Sequence, residues 1–427
     1  MTVASSIVPL LTLPNPQDIG TVLRHPSRFP LRPPNEADVF YRNSRPNYYN
    51  DIGMVNENGP KWEHLRTHLT PPLKSPASLK HYATHMDAIS HDLVNLLKSN
   101  MNTDGVVDNF KEMIYKTGLE AVCKVALERR MGFLETTAKV DTQEILEAIY
   151  LYQKASTESM YGLPFWKYLP SKMSSCANNL ITSKDYLFRT FAKIVDETMK
   201  LDESEAANPD SILSALLNVK EVDTKDVKAS VVDYITAGMD TIGNSMIFLV
   251  AQLAQHPEAQ ARLHAELDEV FPNKCEITPE LLRDVPFMKA CVAESFRMFP
   301  TASQIARITE TDMTLSTGHK LPKGSVVLCH HRIAALQEEN FTRAKEFLPE
   351  RWLPGQAFEK HSPSLNLPFG SGKRQCPGKR LAEQELNIIT AKLFQNFKVE
   401  LTAPLELEFN YLLTPAGSVS LKLTERD

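Results

Sequence analysis

Cys376 stands in the stretch of this 427-residue chain most plainly arranged for chemistry. It belongs to Pro368-Phe369-Gly370-Ser371-Gly372-Lys373-Arg374-Gln375-Cys376-Pro377-Gly378, which runs into a segment, Lys379 to Asn396, with Leu381, Leu386, Ile389 and Leu393 at helical spacing. A sulfur near the start of a helix meets free N–H groups and the positive end of the helix dipole. Lys373 and Arg374 add local positive charge, so the pattern predicts a thiolate. Gly370, Gly372 and Gly378 let the backbone bend closely around the sulfur and leave room for a flat ligand, while Pro377 stiffens the turn. A buried structural cysteine is the bland alternative for any isolated Cys. A phosphate loop fits worse, because Gly370 to Arg374 lacks the four-residue gap and the Lys-Ser/Thr ending.

Other polar residues recur at helical spacing. The periodicity predicts a helix from about Asp226 to Gln255, capped near Asp223-Thr224 and ended by His256-Pro257, spanning roughly 45 Å. At its middle lies Ala237-Gly238-Met239-Asp240-Thr241, where a glycine costs about 1 kcal/mol relative to alanine. The plain reading of Thr241 is a hydroxyl bonded back to the preceding turn. Glu294 and Arg297 sit three apart on a predicted helix, as do Trp62 and Arg66 four apart after Gly59-Pro60, and each pair would ordinarily be a surface contact.

Together these motifs resemble one family. Phe369-Gly-x-Gly-x-Arg374-x-Cys376-x-Gly378 is similar to the haem-binding loop of the cytochrome P450 monooxygenases, Ala237-Gly-x-Asp240-Thr241 to their oxygen-activating helix, and Glu294-x-x-Arg297 with Phe347 to Trp352 to their buried charge motif. The resemblance implies a mainly α fold with a small β-rich subdomain, a helical prism around haem b formed by residues 1–427 as a single domain. It implies that Cys376 is the axial iron ligand and that Trp62, Arg66, Arg307 and Arg374 hold the propionates. Ala237 and Gly238 would let the long helix pass close over the haem, with Phe369 and Gly378 shaping the cofactor loop. Asp240 and Thr241 would deliver protons while O2 is activated and an apolar sterol, lipid or xenobiotic is hydroxylated. Glu294, Arg297 and Arg351 would brace the cysteine loop.

The sequence from Arg374 to Glu385 is most similar to the mitochondrial clan, which implies a ferredoxin-type electron donor docking on Lys289, Lys373, Lys379 and Arg380, at the matrix side of the inner membrane. Against the family pattern the anchor or presequence, the Pro-rich hinge and the first helix are expected to be missing. A non-catalytic haem-binding or regulatory form is therefore the competing reading.

Composition narrows the field. A net charge of −5 argues against a nucleic-acid binder, and six cysteines without a C-x-x-C pair disfavour a disulfide framework or a zinc site. Met1 to Pro16 reads as neither a membrane anchor nor an Arg-rich transit peptide. The remaining expectations concern the scaffold. They are a strand over Ile7 to Leu13, a helix over Pro16 to Leu23, a long loop from Phe29 to Pro60, helices through 77–131 and 142–202, short strands from Arg307 to Val327, and a terminal hairpin turning at Thr414-Pro-Ala-Gly417. Leu163, Phe165 and Trp166 lie in an apolar connector suited to a core-packed loop or a peripheral membrane contact.

Overall fold

The computed structural model describes residues 10–135, 142–161, 164–168, 173–202, 210–355, 364–410 and 412–426. The chain opens with β1 (Leu10–Leu13) and α1 (Pro16–Leu23), where Asn15 caps the helix by accepting from the amides of Gln17 at 2.8 Å and Asp18 at 3.2 Å. Then follow α2 (Glu36–Asn43), α3 (Gly53–Asn56) and α4 (Gly59–Leu69). The body is built from α5 (Pro76–Asn100), β2 (Val106–Val107), α6 (Phe110–Leu127), α7 (Thr142–Tyr161), α8 (Ser175–Asp202), α9 (Ile212–Leu217), α10 (Thr224–Gln255), α11 (Pro257–Val270) and α12 (Pro286–Met298). Proline at the first helical position starts α11 and α12, where its missing N–H costs nothing.

The C-terminal third carries β3 (Ile305–Ile308), β4 (Met313–Thr314), β5 (Lys320–Leu321), β6 (Val326–Cys329), α13 (His331–Ala335), α14 (Lys379–Asn396), β7 (Phe397–Leu401), β8 (Leu407–Phe409), β9 (Leu413–Pro415) and β10 (Leu421–Glu425). One sheet has the order β1-β6-β3, with β1 parallel and β3 antiparallel to β6, and it covers a small core of Leu13, Ile19, Val327 and Phe341. A second sheet, β2-β10-β7, closes the far side against the large helical core.

Helix α10 runs through that large core and is buried along most of its second half. It crosses α6 closely enough that a Cβ on Gly238 would lie 2.7 Å from Val122 Cγ2, and one on Gly243 would lie 2.2 Å from Tyr115 Cδ1. The helix-interior glycine at 238 is thus accounted for by packing on α6.

Three expectations are corrected. The Phe29–Pro60 stretch is not a plain loop but carries α2 and α3, because Asn35 accepts from the amides of Ala37 at 3.0 Å and Asp38 at 3.2 Å and so nucleates a turn that hydrophobic periodicity does not reveal. The terminal hairpin turns between Asn410 and Leu412, with Phe409 opposite Leu413 and Leu407 opposite Pro415, so Thr414 and Pro415 lie within β9. Gly417, at φ 61°, bends the chain out of β9 toward β10 instead of forming the hairpin tip. Finally, Trp166 is 2% exposed and packs edge-on against Phe40 at 5.6 Å, which removes it from any membrane-facing surface. Leu163 lies outside the described residues, as does the side chain of Phe165. Among the described residues, no helix is long and apolar enough to cross a membrane.

Candidate haem site

The cysteine loop is held from three directions. Within it, the Cys376 amide donates to the Phe369 carbonyl at 2.8 Å and the Gln375 amide to that of Gly372 at 3.0 Å, a tight course that needs the left-handed backbone of Gly370 (φ 74°) and Gly372 (φ 66°). Phe369 packs edge-on against Phe296 of α12 at 5.3 Å. From α4, the Arg66 guanidinium donates to the Gln375 carbonyl. Gly378 caps α14, so the sulfur stands at a helix start, as the spacing predicts.

Cys376 is exposed, whereas Cys123, Cys176, Cys291 and Cys329 are buried. Its sulfur nonetheless has protein on most sides. Burial therefore pushes the thiol up, against the Gly378 backbone N–H and the Arg66 guanidinium, which both favour the thiolate. The surface of this side chain opens where a ligand could cover it, and no added Cβ at Gly372 or Gly378 would meet another atom within 4 Å.

Beside the loop lies a group of arginines. Arg374 donates to the carbonyls of Pro30 at 2.8 Å and Glu57 at 2.9 Å and to Asn58 Oδ1 at 2.6 Å, and its guanidinium lies 3.9 Å from the centroid of the buried Trp62 ring. Arg307, buried on β3, donates to the carbonyls of Ala306 at 2.8 Å and Ser371 at 3.3 Å. Burial, then Arg32, Arg307 and Arg66, push Arg374 down to about 9, and burial and Arg32 push Arg307 down to about 10. Among the described residues none of Arg66, Arg307 and Arg374 pairs with a carboxylate, and their partners are carbonyls and one amide oxygen. Desolvated cations that depress one another create a demand for an anion, and a ligand carrying two carboxylates would meet it. Together with the exposed cysteine, this donor set fits haem.

Arg32 and Asn58 were missed in the sequence. Asn58 accepts from the Arg32 amide at 3.0 Å and donates to the Arg32 carbonyl at 2.9 Å, tying the Arg32 segment to Arg374. No helical or strand period marks either residue.

On α10, Ala237 is exposed although its neighbour Met239 is buried, so one short face of the helix is left open at mid-length. Thr241 Oγ1 donates to the carbonyls of Ala237 at 2.8 Å and Gly238 at 3.2 Å, the back-bonded arrangement of the plain reading. Asp240 accepts from Gln153 of α7, a partner the sequence did not suggest. Burial raises the Asp240 carboxyl to about 7, opposed by Gln153 and by Lys111. Such a group both gives and takes a proton near neutrality.

The expected charge network is present and fully buried. Glu294, Arg297 and Arg351 have 0% side-chain exposure, with Arg297 Nε 2.8 Å and Arg351 Nε 3.0 Å from the Glu294 carboxylate. Trp352 Nε1 and the Leu348 amide add further donors at 2.9 Å each.

On the outer side of the cysteine loop, Lys373 and Arg380 are exposed and Lys379 is half-exposed beside Glu383 at 3.7 Å. Lys289 is exposed on α12 and donates to the Arg283 carbonyl at 3.1 Å.

Comparison with known proteins agrees with this geometry. Residues 1–423 match the family described as Cytochrome P450. The chain is 37% identical to ecdysone 20-monooxygenase of Drosophila melanogaster, over 99% of its own length and 80% of the relative's. It is 30% identical to the probable cytochrome P450 12a5, mitochondrial, of the same organism, over 97% and 80%. It is 28% identical to cytochrome P450 302a1, mitochondrial, also of that organism, over 93% and 80%.

Proposed function

The chain belongs to the cytochrome P450 family, and on that premise we propose that this haem-thiolate monooxygenase hydroxylates ecdysone or a closely similar steroid, drawing electrons from a ferredoxin-type protein at the matrix side of the mitochondrial inner membrane. The observation that carries the chemistry is the exposed Cys376 next to arginines that, among the described residues, have no carboxylate partner. The substrate rests on 37% identity to a relative whose name states ecdysone 20-monooxygenation, and the compartment on the relatives named mitochondrial. A non-catalytic form is not favoured, since the acid, the alcohol and the cysteine loop are all intact.

When bound, the haem supplies the iron chemistry that cleaves dioxygen and inserts one oxygen atom into a C–H bond. The chain's residues do the rest. Cys376 offers a thiolate whose charge Arg66 and the Gly378 N–H offset. Arg307 and Arg374 would bind the carboxylates of the cofactor, while Trp62 backs the Arg374 guanidinium. Asp240 holds a proton that Gln153 helps orient, and Thr241 Oγ1, one residue on, passes it into the open face beside Ala237.

Thr241→Ala is therefore expected to keep haem and steroid binding while the share of electrons recovered in product falls by at least about tenfold, the loss appearing as hydrogen peroxide. Product per electron consumed is the measurement, and unchanged coupling would remove Thr241 from the relay.

The assignment as a whole is tested with purified haem-loaded protein, ecdysone and a reconstituted ferredoxin system. Expected are a ligand-induced spin shift and a hydroxylated product, with the reduction rate falling as salt rises and falling further in Lys289→Glu, because exposed basic residues steer an acidic partner. Turnover of other steroids but not ecdysone would overturn the substrate, and equal support by a flavin reductase, indifferent to salt and to Lys289→Glu, would overturn the donor.

A further inference from the structure

Away from the cysteine loop, α5 and the end of α6 bring together three side chains that no step above uses. His81 and His85 lie one turn apart on α5 with ring centroids 5.0 Å apart, and Glu128 reaches them from the C-cap of α6. One ligand-capable atom from each lies within 4.8 Å of the others. We propose that His81, His85 and Glu128 form a binding site for a divalent transition-metal ion, with zinc the best match, that clips α5 to the end of α6.

The helix supplies the first two ligands without rearrangement, since residues four apart project from the same face. Two imidazole nitrogens and one carboxylate oxygen are a set that zinc accepts, with a fourth position left for water. Ligand atoms of a tetrahedral site with bonds of about 2.0–2.1 Å stand roughly 3.4 Å apart. Side-chain rotation alone can therefore close the present spread. All three residues are half-buried, so an ion there would be partly shielded yet reachable.

The third ligand is the better prepared. Glu128 has a left-handed backbone (φ 55°, ψ 24°), uncommon for a residue with a Cβ, and this turns its carboxylate toward α5. One carboxylate oxygen lies 3.0 Å from His81 Nε2, and the other accepts from the Tyr82 hydroxyl at 2.6 Å. That hydroxyl in turn accepts from the Ile212 amide at 3.1 Å, so the carboxylate is oriented from behind, as a metal-binding carboxylate needs. Burial pushes the Glu128 carboxyl up, but hydrogen bonds from Lys124, Tyr82 and His81 outweigh it and hold it at about 2, while burial and Lys124 lower His85.

Lys124 competes for the site, with Nζ 2.5 Å from Glu128 Oε1 and 3.3 Å from the Glu128 carbonyl. An entering ion displaces the ammonium from Oε1, and the lysine keeps the carbonyl. Cysteine spacing alone argued against zinc because it takes no account of two histidines and a glutamate far along the chain.

The test is isothermal titration of zinc chloride into chelator-treated, haem-loaded protein, with zinc X-ray absorption to read the ligands. Expected are one ion per chain with imidazole in its shell, affinity at least about tenfold weaker in His85→Ala, and affinity tighter in Lys124→Met, where the competing cation is gone. Zinc should also raise the melting temperature of the parent but not of His85→Ala, whose fold is checked by circular dichroism. His64, exposed, and His68, half-buried, stand at the same spacing on α4 and serve as the control, and alanine at both should leave the affinity unchanged. No binding at millimolar zinc, binding indifferent to His85→Ala, or binding lost with the His64/His68 pair would each overturn the site.

Discussion

Cys376→Ala is expected to abolish the thiolate signature of the carbon-monoxide difference spectrum together with all turnover, while Cys291→Ala and Cys329→Ala keep both. Three physical differences separate the cysteines. Cys376 is exposed, stands one residue from the start of a turn into α14, and is touched by the Gly378 N–H and the Arg66 charge, both of which favour the anion. Cys291 is buried in α12, where burial pushes its thiol well up. Cys329 is buried at the end of β6 opposite Leu13 and Ile305, and burial pushes it up to about 12. At neutral pH those two sulfurs stay protonated, and a protonated sulfur is a poor iron ligand. At Cys376 the metal itself supplies what the neighbours leave of the cost of deprotonation. Because Arg66, Arg307 and Arg374 remain, the alanine variant should retain some haem, so haem content and spectral type separate loss of the ligand from loss of the cofactor. A thiolate signature that survives in Cys376→Ala would end the assignment.

The legibility of the fold and site followed the physical range of each signal. The bounds of α1 and α14 match the expected ones because the start signals and the apolar period between the ends are local properties. The Cys376 loop and the Glu294 network were legible because their residue types stand at fixed short spacings. What stayed hidden depends on contacts across the chain. Gln153 meets Asp240, Asn58 meets Arg374, and Val122 meets Gly238 only once α7, α4 and α6 have packed. The α2 segment hid for a local reason, since its signal is one Asn35 cap inside a Pro- and Asn-rich stretch that reads as loop. Trp166 shows the limit of reading apolar residues as membrane contacts, because a tryptophan that finds Phe40 has no surface left to offer.

Arg297→Ala is expected to prevent accumulation of folded protein, or to cost about 3–5 kcal/mol where enough survives to be melted. The Glu294 carboxylate is fully buried and accepts from Arg297 twice at 2.8 Å, from Arg351, from Trp352 and from the Leu348 amide. Removing Arg297 leaves that charge with one guanidinium and exposes a second problem. Arg297 also donates to the part-buried carbonyl of Glu346 at 3.1 Å and to the carbonyls of Ala335 and Ala344 at 2.7 Å each, and these last two lose their donor in a buried place. Arg297→Lys should rescue little, since an ammonium cannot fork to the carboxylate while serving three carbonyls in one plane. Replacing Glu294, Arg297 and Arg351 together by apolar residues removes the uncompensated charges, and buried ion pairs elsewhere tolerate that exchange. Here it should fail, because the buried carbonyls of Ala335 and Ala344 would be left without a donor, and the part-buried carbonyls of Glu346 and Thr342 would lose theirs. The damage should reach the haem as well, since α12 carries both Glu294 and Phe296, the ring that packs on Phe369 of the cysteine loop. Soluble yield, haem content and melting temperature are the measurements. A folded Arg297→Ala protein melting within a few degrees of the parent, or an apolar triple variant as stable as the parent, would show that the network is dispensable.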